Sequence, residues 1–240
     1  MNKPLAAAAV AAALATPLAA QAFDLDSLQQ LNQAQFRLLS EDLGAVLSYK
    51  PLTPAEPLGV SGLDLGLAVT GTDLKNSQVL RLAASGKDVP TLLPLPTLRL
   101  HKGLPLNIDI GAQYAAVPGS NIKLWGGELR WAIIGGGTLM PAIAVRGAYT
   151  RLQGVDQLKV ETRSADVSIS KGFAMLTPYA GVGQVWITST PQGVPTLREE
   201  DFTATKAYVG VNINLGVNLV IEADSTAGVV SYGAKLGFRF

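Results

Sequence analysis

The sequence predicts an all-β fold, an antiparallel up-and-down transmembrane β-barrel of about 10 strands (8 is the alternative) with an N-terminal amphipathic helix. Three observations carry that expectation. Long stretches alternate apolar and polar residues at period two, as strands with one apolar face do. Hydrophobic residues make up 48% of the 240-residue chain and charged ones only 15%, against about 25% in a soluble domain. Beyond residue 22 no apolar run reaches the ~20 residues of a spanning helix, and a closed barrel is then the remaining way to face lipid.

Residues 1–22 read as a cleaved Sec-type signal peptide. Met1-Asn-Lys-Pro4 is a positive start, Leu5 to Ala15 is apolar, and Ala20-Gln21-Ala22 is a small-x-small cleavage site before Phe23. Residues 23–45 read as the amphipathic helix, with Leu28, Leu31, Leu38 and Leu39 near one stripe and Gln29, Gln30, Asn32 and Gln35 elsewhere. Residues 46–57 form a Pro-rich linker. One expectation has residues 25–43 entering the lumen from the periplasm as a plug; the other lays the Leu stripe on the inner lipid leaflet.

The barrel spans 58–240. Its expected strands are about 58–71, 94–101, 106–115, 122–134, 140–151, 160–171, 177–188, 203–214, 217–224 and 229–240, with a bulge or a loop extension expected in 160–171, which alternates cleanly only from Ser164. The final stretch shows the pattern: Val230, Tyr232, Ala234, Leu236, Phe238 and Phe240 alternate with Ser231, Gly233, Lys235, Gly237 and Arg239. Long connections are expected near 73–94, 116–121, 152–158, 189–201 and 224–229, and short ones at 102–105, 135–137, 172–176 and 215–216. That asymmetry is the one between outer loops and periplasmic turns. Along this path Tyr114, Trp125, Tyr149 and Tyr232 fall near the outer ends, and Trp131, Phe173 and Tyr179 near the periplasmic ends, as two aromatic girdles would. The ending Gly237-Phe-Arg-Phe240 resembles the C-terminal insertion signal of bacterial outer-membrane barrels, which makes Phe238 and Phe240 the expected assembly signal.

The mature chain resembles the small outer-membrane barrels of Gram-negative bacteria, in the neighbourhood of the OmpW- and OmpX-type proteins. More closely, Leu38-Leu-Ser-Glu-Asp-Leu-Gly44, Ser48-Tyr-Lys-Pro-Leu-Thr-Pro54 and Asn121-Ile-Lys-Leu-Trp-Gly126 resemble a proteobacterial barrel family without an assigned activity. The resemblance implies the fold and a place in the cell outer membrane. It implies as partners the lipid bilayer, lipopolysaccharide and, during biogenesis, the barrel-assembly machinery.

Composition closes several function classes. A formal net charge of +1 lacks the basic field of a nucleic-acid binder. Zero Cys and one His exclude thiol nucleophiles, disulfide frameworks and most metal clusters, and no cofactor is expected. Parity points Asp64, Arg99, Asp109, Glu128, Arg130, Arg146, Asp166, Lys206, Glu222, Lys235 and Arg239 into the lumen. Removed from bulk water, they read as a mutually neutralising network in a narrow lumen rather than the wall of a selective pore. His101 reads as a lumen histidine, not a catalytic base. The glycines of 126–127, 135–137 and 181–183 precede no strand-to-helix turn and read as strand glycines, not phosphate loops. Ser77 to Ala84 reads as a short helix in the first outer loop. The expected function is a non-enzymatic barrel with a structural role or slow, porin-like passage of small or apolar molecules. The alternative is surface binding through loops 73–94 and 189–201, with a lipid-modifying enzyme third.

Overall fold

The structure, a computed structural model, describes residues 24–87, 89–116 and 120–240. The expected signal peptide and Phe23 lie outside the described residues. A 3-10 turn (Leu28–Gln30) precedes helix α1 (Gln33–Leu47), and α2 (Ser77–Ala83) sits in the first long loop. The strands are β1 (Leu63–Asp73), β2 (Leu92–Leu104), β3 (Ile108–Ala116), β4 (Lys123–Gly135), β5 (Ala142–Gln153), β6 (Leu158–Ser170), β7 (Leu176–Pro191), β8 (Glu200–Asn214), β9 (Asn218–Thr226) and β10 (Val229–Arg239). Every neighbour in sequence is a neighbour in space, and β1 closes on β10, so the barrel has ten strands and the first hairpin belongs to it.

Side-chain parity follows the alternation. Leu65, Leu67, Leu98, Ile110, Leu129, Val182, Val209 and Ile221 stand exposed on the outside, while Asp64, Asp109, Arg130, Lys206 and Lys235 are buried inside. A continuous apolar exterior over charged interior positions is the arrangement lipid demands and water penalises. Pairing of β2 with β3 begins only at Thr97, below Pro94 and Pro96, which bring no N–H to a ladder.

Several boundaries differ from the expectation. The helix occupies 33–47 rather than 23–45, because Asn32 and Gln35 form a capping box that starts it there. Residues 58–62 form the approach to β1, not its first turn of strand. The bulge falls in β4, between Ala132 and Ile134, and β6 is regular. The connection expected to be long at 224–229 is the two-residue turn Ala227-Gly228, with φ of 55° and 73°. Both central residues are left-handed, the geometry that matches strand twist in a tight hairpin. Tyr179 does not belong to the aromatic girdle: it is 3% exposed and faces the lumen. Trp131 and Phe173 do stand exposed near the short-turn end, and Tyr114, Trp125 and Tyr232 near the other. There Tyr149 packs on Trp125, with ring centroids 5.5 Å apart.

The alternation also changes character at the long-loop ends. There the inward positions are apolar: Leu93, Leu95, Leu124, Leu152, Leu158, Val160, Val185 and Ile187 are all buried. They form a greasy ring inside the mouth, and α1 sits on it.

Candidate functional site

The site is the lumen together with what fills it. The first described residues lie at the long-loop end, where the Asp24 carboxylate accepts from the Asn121 N–H at 2.8 Å and Leu28 N–H donates to Gln157 Oε1 at 3.0 Å. Leu25, Leu28, Leu31, Phe36, Leu39 and Leu43 pack with Leu74, Val79, Leu80 and Val89 of the first loop and Val194 and Leu197 of the fourth. Together they make a folded cap over the mouth. Loops 74–91 and 192–199 are therefore clamped to the helix. Asp42 on α1 accepts from the Asn76 N–H at 2.7 Å, and burial pushes its carboxyl above the ordinary range against that bond.

This corrects the expected entry of the helix from the periplasmic side. Leu28, Leu31 and Leu39 of the expected stripe are buried at the long-loop end, where the apolar ring lies, and Leu38 stays 37% exposed. Leu31 is in the cap, whereas Gly111 faces His101 and Glu128 deep in the lumen. The lumen is filled instead by the linker.

Residues 48–58 run through the barrel without regular structure, so their peptide groups need partners from its wall. The wall charges supply them. Leu47 C=O accepts from Thr150 Oγ1 at 2.7 Å, and Lys206 Nζ donates to Tyr49 C=O. Arg99 Nη2 donates to Lys50 C=O at 2.6 Å and to Pro51 C=O at 3.2 Å, its guanidinium lying 4.9 Å from the Tyr49 ring centre. The Leu52 N–H donates to Glu222 Oε2 at 2.8 Å, and Leu52 itself, at φ 48°, packs beside Gly233. Lower down, Arg130 Nη1 donates to Pro54 C=O at 2.5 Å and Arg239 Nη1 to Thr53 Oγ1 at 2.8 Å. Ser170 Oγ accepts from the Glu56 N–H at 3.2 Å, and the Asp109 carboxylate from the Leu58 N–H at 3.1 Å.

The remaining bonds join charge to charge. Lys235 Nζ donates to both Asp64 oxygens at 2.7 and 2.8 Å, with Arg239 3.6 Å away. Arg130 pairs with Asp109 at 2.6 Å. Arg146 bridges Asp166 at 2.7 Å and Glu128 at 3.4 Å, and Glu128 lies 3.2 Å from His101. The eleven inward charges thus divide in use. Asp64, Asp109, Glu128, Arg130, Arg146, Asp166, Lys235 and Arg239 meet opposite charges, with Asp109, Arg130 and Arg239 also bonding the backbone of the threaded segment, and Arg99, Lys206 and Glu222 bond that backbone too.

Sequence reasoning missed Lys50, whose ammonium lies 2.8 Å from Asp224 and 3.1 Å from Ser231. It placed one partner in a linker and the other in a loop. It missed the lumen tyrosines too: Tyr179 donates to Glu222 and Tyr208 to Asp166, each at 2.7 Å. Their parity was the available signal, since both stand in register with inward residues. His101 is 1% exposed, with the Tyr49 hydroxyl 3.4 Å from Nε2.

No protein-family model and no curated protein sequence matches the chain. Among solved structures, it is similar to the N-terminal β-barrel domain of Pseudomonas aeruginosa OprF at 13% identity and a TM-score of 0.38, covering 76% of this chain and 99% of that one. It is also similar to Ail, the attachment invasion locus protein of Yersinia pestis, at 12% identity and a TM-score of 0.34, with 75% and 97% covered. A third likeness is to Neisserial surface protein A, at 9% identity and a TM-score of 0.29, with 74% and 94% covered. At such scores the barrel architecture rests on this chain's own closed strand order.

Proposed function

We propose that the protein is a self-plugged barrel of the bacterial outer membrane, a non-enzymatic structural element of the cell envelope with its capped, long-loop end turned outward. The apolar exterior and the split between long loops and short turns support the membrane and its orientation. The observation that carries the reading is the threaded segment: from Leu47 to Leu58 the wall bonds it at successive heights through the lumen. A pore wall keeps its charges wet and free for the permeant; here they hold the protein's own peptide groups. Binding through the outer loops is the weaker reading, because Val79, Leu80, Val194 and Leu197 anchor loops 74–91 and 192–199 to the cap, leaving the polar residues of each loop exposed on a held backbone rather than on a freely projecting one. Refolded protein in planar bilayers should show no steady conductance, and deletion of residues 24–57 should open one. Steady channels from the intact chain sink the proposal.

A further inference from the structure

The outside of the barrel is not uniform around its girth. Near the long-loop end, β4 to β6 point four cations away from the lumen: Lys123, Arg151, Lys159 and Arg163. Strand register sets Arg151 between Trp125 and Glu161, and Arg163 between Tyr149 and Trp186. Glu161 is shared, 3.0 Å from Lys159 and 3.7 Å from Arg151. Among the described residues Lys123 and Arg163 have no ion pair. With Glu161 and Asp201 as carboxylates of this rim, and Glu199 bonded to Thr190 opposite Lys159, one positive charge is left over. At the same height on β9, β10, β1 and β2 the outward residues include Ser225, Val230, Tyr232, Gly71, Leu92 and Pro94, none of them a cation.

Just below the cations the outward side chains shrink to Gly127 and Gly147. They leave a trough of about 610 Å³, lined also by Trp125, Leu129 and Tyr149, with Arg163 at its edge. Arg163 also borders a second hollow of about 340 Å³ beside Trp186 and Asp201. Positive charge over an apolar trough, flanked by aromatic rings at the interface, is the chemistry of a phosphorylated lipid standing upright beside the wall.

We propose that this face binds the phosphorylated, acylated disaccharide of lipopolysaccharide. Its phosphates sit on Lys123, Arg151 and Arg163, and one acyl chain lies in the trough over Gly127 and Gly147. The choice of lipid rests on the outward orientation proposed above. Charge complementarity argues for it, since the basic rim lies at the outward end of the lipid belt. Trp125 and Tyr149, tilted 59° to one another, each offer an outward-facing ring to the sugar.

The test uses the folded full chain in neutral detergent, titrated with bis-phosphorylated lipid A, with dephosphorylated lipid A and with phosphatidylglycerol, binding being read by native mass spectrometry. The bis-phosphorylated form should bind at least about tenfold more tightly than either comparison. The variant Arg151→Gln/Arg163→Gln should lose about tenfold or more, as expected when charge-assisted bonds are removed. Gly147→Leu fills the trough, where the nearest atom to an added Cβ is 4.0 Å away, so it should fold and also weaken binding. Equal affinity for the dephosphorylated form or for phosphatidylglycerol overturns the proposal, and so does unchanged binding by both variants. Labelling of Thr196→Cys on whole cells tests orientation separately. A thiol reached only after permeabilisation refutes the outward cap without altering the outcome in detergent.

Discussion

Replacing Arg130 by Ala tests what the lumen charges do. The guanidinium is 2% exposed and donates to Asp109 Oδ2 through Nη2 at 2.6 Å and through Nε at 3.2 Å. It also holds Pro54 C=O at 2.5 Å and Thr53 at 3.3 Å. Truncation leaves a fully buried carboxylate with the Leu58 N–H as its remaining direct donor. Removing one partner of a buried pair costs about 3–5 kcal/mol. Arg239 stands close enough to Asp109 to recover part of that, so the lower figure, about 3 kcal/mol, is the expectation. The double variant Arg130→Met/Asp109→Leu removes both charges and should cost clearly less than Arg130→Ala alone. Urea unfolding in detergent micelles, followed by tryptophan fluorescence, measures both. In planar bilayers Arg130→Ala should in addition flicker, because the segment loses its hold at Thr53 and Pro54. A midpoint equal to that of the unaltered protein, with altered ion selectivity, would falsify the filled-lumen account and restore an open pore.

Four further outcomes are expected. Deleting Phe240 removes two seam bonds, from Leu63 N–H at 2.7 Å and to Leu63 C=O at 3.1 Å, along with an exposed ring; heat-modifiable protein in the outer membrane should fall sharply while export continues. Gly237→Ala puts a Cβ 2.1 Å from Leu65 C=O across the same seam, so it should destabilise the barrel by about 1–3 kcal/mol, read as a lower urea midpoint. Ser48→Cys/Thr226→Cys replaces hydroxyls 3.3 Å apart in a chain without native cysteine; oxidation should form the disulfide and raise the thermal midpoint, which a chain threaded otherwise would not show. Burial makes the Asp42 carboxyl hold its proton more tightly in the folded state, so stability is lost as pH rises through the unfolded and then the raised folded value. Asp42→Asn should therefore stabilise slightly at pH 7, by at most about 1 kcal/mol, with the gain vanishing near pH 3.

Much of the barrel was legible because one physical signal repeats. Lipid outside and charge inside force period-two alternation, and that fixed the parity of Asp64, Arg130 and Lys235 and the count of strands. What the alternation does not encode is which end of the lumen receives the preceding segment. That depends on a ring of inward Leu and Val at the long-loop ends, where the outward residues of β4 to β6 turn charged (Lys123, Arg151, Lys159, Glu161) and the apolar face changes sides. The linker was legible as irregular, through Pro51, Pro54 and Pro57, but its partners are far off in sequence: Lys50 and Asp224 are 174 residues apart. Tyr179 was misplaced because a tyrosine near a strand end suits a lipid interface as well as a buried carboxylate. The turn at Ala227 was hidden because a non-glycine residue with positive φ leaves no compositional mark.

The threaded segment also constrains the order of assembly. Residues 48–58 lie on the axis of a closed ring, anchored at the mouth by a helix too bulky to be drawn through a lumen already lined with arginines. Loading a finished barrel from the short-turn side would require the helix to unfold and pass those arginines one residue at a time. The simplest order lays the segment along the growing sheet while the β1–β10 edge is still open, the last hairpin then wrapping it in and delivering Glu222, Asp224 and Ser231 to it as Lys235 reaches Asp64 across the seam. The segment works as a mandrel. Its bonds span most of the chain, so closure should be slow and late, as long-range pairings are. A chain stalled before the final strand would present an unzipped sheet with its greasy mouth uncovered, the form most exposed to proteolysis in the envelope.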